Sequence, residues 1–125
     1  MARKLKEIQA TIVKPQDMAD AVRDKCVIWS NETGMTFTVT EIKAWSGTDD
    51  TSINVEEYDA NGQNNATVDA VEIATNGTSI YTADETTITG ATVEAGHLIA
   101  IDFDDTDDPD YVKVSIMGYF NSNVD

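Results

Sequence analysis

The sequence predicts an all-β protein, an antiparallel β-sandwich of jelly-roll-like form with one short N-terminal helix. Three observations predict it. Beyond residue 25 the apolar residues recur with period two rather than 3.6. Clusters of Gly, Asn, Asp and Ser punctuate these runs at short intervals. The chain has 125 residues, one domain by length, which is enough to bury roughly two-thirds of its unfolded surface without disulfides.

Taken in order, KEIQATIV (6–13) is the first strand. KPQDMADAVRDK (14–25) sets Pro15 at a first helical position and Met18 and Val22 four apart, which predicts a helix of one or two turns. CVIWS (26–30) is an apolar strand. In MTFTVT, Met35, Phe37 and Val39 alternate with Thr36, Thr38 and Thr40. Ile42, Ala44 and the following Trp45 then break that parity, which predicts a bulge or twist near Glu41. SINVEEY places Ile53 and Val55 on one face, and ATVDAVEIA offers Val68, Val71 and Ile73 with a second parity slip.

TSIYTA and TTITGATV add two more runs. HLIAIDF sets Ile99, Ile101 and Phe103 against Leu98 and Ala100. In the last run Val112, Val114, Ile116 and Phe120 alternate with Lys113, Ser115, Met117 and Tyr119. Between the runs lie SNETG, SGTDD, DANGQNN, TNG and EAG; Asn61-Gly62 and Asn76-Gly77 are the strongest hairpin signals. Eight or so strands suit a two-sheet jelly roll, and a seven-stranded immunoglobulin-like sandwich is the runner-up.

Net charge is −15, unevenly spread. Residues 1–25 hold six of the eight basic residues against four acids, a net +2, so 26–125 carries −17. The division predicts a basic N-terminal arm and short helix (1–25) and an acidic sandwich domain (26–125). So acidic a body repels phosphate backbones, which argues against nucleic acid as a partner. The basic end is a docking arm or a solubilising N-terminus. No apolar stretch approaches the ~18 residues of a membrane span. The start lacks the apolar core of a signal peptide, which predicts synthesis and use without secretion. The sequons at Asn31, Asn65 and Asn76 would matter only in a secretory pathway.

Six aspartates fall between Asp102 and Asp110. They lack the central glycine and terminal glutamate of an EF-hand loop, and they read as a solvated turn whose side chains bond their own backbone. A calcium site is the lesser reading. No cleft-forming insertion supports a catalytic carboxylate pair. His97 is the only histidine and, at a strand start, reads as structural. No G-x-S-x-G or phosphate-binding glycine loop occurs. Cys26, the only cysteine, reads as a small buried hydrophobe. Trp29 reads as core, and Trp45 is the better surface candidate. Neither a cofactor nor a metal is expected.

Three stretches together carry a family likeness: VIWSNETGMTFTVTEIKAWSGTDDTSINVEEYDANG (27–62), VDAVEIATNGTSIYTADETT (68–87) and TITGATVEAGHLIAIDFDDTDDPDYVKVSIMGYF (87–120). Their order, an apolar strand with Trp, an Asn-x-Thr-Gly turn, a Thr-rich strand and a DDT turn, resembles a module of tailed-bacteriophage structural proteins. The resemblance implies a non-enzymatic virion protein, made in the host cytoplasm and displayed on the particle as a homotrimer. Such a protein is a capsid decoration, head fibre or tail appendage whose partner is a major capsid or tail protein. It defines no catalytic residues. On this reading Arg3, Lys4, Leu5, Lys6 and Ile8 dock the chain on its partner, through charge or through an added edge strand. The alternative is a module that binds carbohydrate or a cell surface, with or without calcium.

Overall fold

The computed structural model describes residues 2–63, 66–75, 81–103 and 108–122. The elements in chain order are β1 (Ala2–Val13), a 3-10 turn (Pro15–Asp17), α1 (Asp20–Asp24), β2 (Cys26–Ser30), β3 (Phe37–Ser46), β4 (Thr51–Tyr58), β5 (Ala66–Thr75), β6 (Tyr81–Glu85), β7 (Thr92–Val93), β8 (Leu98–Phe103) and β9 (Tyr111–Ser122). Every strand pairing is antiparallel, in the order β1-β9-β3-β6-β5-β4-β8-β2, with β7 added to β3. The protein is an antiparallel all-β structure with nine strands among the described residues, two more than an immunoglobulin-like sandwich of seven would have.

Period-two patterning explains which faces meet. Val112, Val114, Ile116 and Phe120 of β9 are buried, as are Ile99, Ile101 and Phe103 of β8. With Phe37, Val39, Ile42 and Ala44 of β3, Ile53 and Val55 of β4, and Val68 and Val71 of β5, they form one core. Strands from both ends of the sheet order therefore share a single apolar interior. Trp29, Phe37 and Phe120 fasten β2, β3 and β9 together there, with ring centroids 5.1 to 6.2 Å apart.

The parity break near Glu41 is a register shift of β3 against β9 between Val39 and Glu41. The slip in β5 is a second shift, between Val55 and Glu56 of its partner β4. In each case the extra residue returns the apolar side chains to the same face.

Two expectations change. The helix of 14–25 splits in two, because Met18 adopts extended backbone after the Pro15–Asp17 turn and only Asp20–Asp24 is α-helical. TTITGATV shortens to Thr92–Val93. The N–H of Gly90 donates to the Val68 carbonyl at 2.8 Å, and a side chain at Gly90 would strike the Thr67 carbonyl oxygen. The chain turns there instead of running straight.

Asn61-Gly62 makes the turn between β4 and β5. Gly62 takes φ +75°, and Asp59 Oδ1 accepts the N–H groups of Asn61 and Gln63. Asn76-Gly77 lies outside the described residues.

Candidate functional site

Within 1–25, residues 2–13 are the edge strand β1, paired with β9 in unbroken register from Ala2↔Ser122 to Val13↔Tyr111. Ile8, opposite Ile116, is 5% exposed and belongs to the core, so it is not on the surface with the other docking candidates. Arg3, Lys4, Leu5 and Lys6 are all exposed, Leu5 by 82%.

Cations elsewhere are mostly engaged. Lys14 pairs with Asp110 at 3.4 Å and Arg23 with Asp20 at 2.7 Å. Lys25 donates to the Gly62 carbonyl at 2.6 Å and sits over the Tyr58 ring, and Lys113 sits over Trp45. Arg3 lies 4.3 Å from the Tyr119 ring centroid, and neither Lys4 nor Lys6 has an ion pair among the described residues. The candidate surface is therefore a basic, partly apolar edge on a strongly acidic protein.

The named docking residues end at Ile8, although the edge strand expected from KEIQATIV runs on to Val13. In the structure the surface continues along β1, where Gln9, Thr11 and Val13 are also exposed, Val13 by 69%. The signal that would have found them is strand parity, since odd positions share one face. Glu7, also odd, accepts a hydrogen bond at 3.0 Å from the Ser115 hydroxyl and helps to bury it.

The remaining candidates fall elsewhere. Asp102 lies on β8 opposite Asn54, and the N–H of Asp108 donates to Asp49 at 3.2 Å; residues 104–107 lie outside the described residues. No group of three or more His, Cys, Asp or Glu among the described residues is placed to hold a metal ion. No described helix is long and apolar enough to cross a membrane.

His97 stands between two carboxylates, Nδ1 at 2.9 Å from Glu57 and Nε2 at 3.4 Å from Glu94. Glu57 also accepts the Glu94 N–H. This is a clamp on the turn after β7, built from two carboxylates and a backbone N–H among the described residues. Trp45 is half-buried on the outer side of β3, with Lys113 5.3 Å from its ring centroid, so a stacked sugar would have to displace that cation. Burial pushes the Cys26 thiol up, which makes it a poorer nucleophile. Burial also pushes the Tyr58 phenol up, helped by the charges of Glu56, Asp102 and Asp24.

Asn31 of the first sequon is fully buried. Its amide donates to the carbonyls of Met35 at 2.8 Å and Val93 at 3.1 Å, and its Oδ1 accepts from the Thr33 hydroxyl at 2.7 Å. The Asn-x-Thr pattern here is a structural staple between two loops.

No protein-family model matches the chain, and no curated protein matches it. Similar solved structures include the Eiger TNF of S. frugiperda (11% identity, TM-score 0.44, 79% of this chain and 66% of that one). The cyanophage Pam1 capsid asymmetric unit is 16% identical with TM-score 0.44, over 95% of this chain and 85% of that one. The extra small virus particle of the prawn Macrobrachium rosenbergii is 13% identical with TM-score 0.37, over 98% and 82%. At such scores these likenesses carry no argument about function.

Proposed function

We propose that the chain is a non-enzymatic virion protein of a tailed bacteriophage, a capsid decoration or surface appendage held to the particle by β1. The observation that carries this reading is charge segregation. Three exposed cations, Arg3, Lys4 and Lys6, crowd one end of an edge strand while residues 26–125 carry −17. An acidic body favours solubility and discourages non-specific association. A basic strand at its margin gives one place for attraction to an acidic lattice. The sequence resemblance to phage structural modules supports the same reading, and so does the two-ended sheet order around one core, which suits a sandwich of jelly-roll type. Display as a homotrimer and a virion location belong to this proposal.

Co-sedimentation with purified particles of the phage that carries the gene tests it. The full chain is expected in the particle fraction, and deletion of residues 2–6 is expected to release it. Unchanged particle binding after that deletion would defeat the docking role of β1, and absence of the full chain from particles would defeat the virion reading.

A further inference from the structure

We infer that the open edge of β1 receives an extended acidic segment of a partner protein as an added strand. The inference rests on the docking role proposed for β1 and names the occupant and its mode of binding.

The ladder shows which backbone groups of β1 have no strand partner among the described residues. Lys14 N–H donates to the Asp110 carbonyl at 2.9 Å, and this pair continues the Ile12↔Val112 register. Antiparallel pairing alternates with period two. Even-numbered residues of β1 therefore turn their peptide groups toward β9. The N–H and C=O groups of Arg3, Leu5, Glu7, Gln9, Thr11 and Val13 point to the open side. Gly47 N–H donating to the Tyr111 carbonyl, on the opposite side of β9, agrees with this phase.

Sheets usually blunt such an edge by shortness, bulges, proline or charge. The other terminal strand, β2, is five residues long with an irregular register at Val27/Trp29. β1 is twelve residues long, with neither a proline nor a register shift. It is thus the edge built to accept a strand, guarded only by the charged side chains of Arg3, Lys4, Lys6 and Glu7.

Those guards also choose the partner. A second copy of β1 added in parallel would align Arg3, Lys4 and Lys6 with their equivalents. Added antiparallel about its centre, it would bring the two Glu7 residues close and leave all six cations uncompensated. A segment with carboxylates opposite Lys4 and Lys6, and small or apolar residues beside Gln9 to Val13, satisfies both the backbone and the charge.

The probe is a fluorescein-labelled peptide of alternating Glu and Val, about ten residues long to match the strand, titrated with the full chain and followed by anisotropy. Saturable binding that weakens with salt is expected. The Lys/Val peptide and the backbone N-methylated Glu/Val peptide are expected not to bind. Gln9→Pro removes one outward N–H without touching the β9 ladder, a substitution an edge strand tolerates. It is expected to weaken binding about tenfold or more, and Lys4→Glu/Lys6→Glu to do the same with an unchanged thermal melt.

No saturable binding by the folded chain overturns the inference. So does equal binding by Gln9→Pro, or a self-assembled species that Gln9→Pro dissociates, since the occupant would then be a second copy. Because the titration uses no particles, its failure leaves the co-sedimentation result standing, and the converse also holds.

Discussion

Ile8 of β1 lies directly opposite Ile116 of β9, and both side chains are in the core, while Leu5, three residues before Ile8, is 82% exposed. One strand thus presents a structural face and a free face. Ile8→Ala is expected to cost about 3 kcal/mol, from lost burial and the cavity left behind. Leu5→Ala should stay within about 0.5 kcal/mol. Urea denaturation of the two variants checks the pair, and equal losses would mean that β1 is not seated as described.

Gly118 faces β3 at the centre of β9, where an added side chain would strike the Thr38 carbonyl oxygen and come within 2.5 Å of Phe37 Cζ. Neither neighbour is free to move, one being backbone and the other core. Gly118→Ala is expected to destabilise by about 2–3 kcal/mol. A thermal midpoint matching that of the wild type would contradict the close approach of β3 and β9 here.

Replacing Asn31 by Ala removes the amide donor to the Met35 and Val93 carbonyls and the acceptor of the Thr33 hydroxyl, leaving only the Thr33 hydroxyl on the Met35 carbonyl at 3.2 Å. The expected loss is about 2–4 kcal/mol, because buried acceptors left unpaired cost more than the bond itself was worth. Asn31→Asp should be no better, since a carboxylate would face carbonyl oxygens. Equilibrium unfolding of both variants reads this directly.

Glu41 and Asp84 form an acid pair across β3 and β6. The Asp84 hydrogen bond raises the Glu41 carboxyl above the usual range, with desolvation and the Asp84 charge adding to it and Lys43 opposing. The folded state therefore holds this proton more tightly than the unfolded chain does. Its stabilising contribution is full below the ordinary carboxylate value and is lost as pH rises through the raised one. Glu41→Gln is expected to flatten the dependence of the unfolding midpoint on pH from the ordinary carboxylate range upward. An unaltered slope would show that the two acids do not share a proton.

Much of this architecture is legible in the sequence because burial on a strand has a two-residue period. The alternation in residues 111–120 and the parity break beside Glu41 correspond to a buried face and a register shift. TTITGATV misled for a non-local reason. Its alternation is strand-like, but Gly90 is drawn against β5 by Val68, a partner far away in the chain.

The candidate site was half legible. Charge pointed to Arg3, Lys4 and Lys6, but the burial of Ile8 and the openness of Gln9, Thr11 and Val13 depend on where β9 lies. The clamp at His97 was hidden for the same reason, because Glu57 comes from another strand.

The last strand, β9, runs between β1 and β3, so the ninth strand is the one that both the first and the third require. Neither can complete its ladder until residues 111–122 exist. On the ribosome, at roughly 5–20 residues per second, the basic strand waits several seconds with its inward Ile8 and Ile12 uncovered. Loop closure over so long a span is slow, and such topologies fold in milliseconds to seconds rather than microseconds. The lysines that guard the finished edge also keep the nascent strand soluble during that interval.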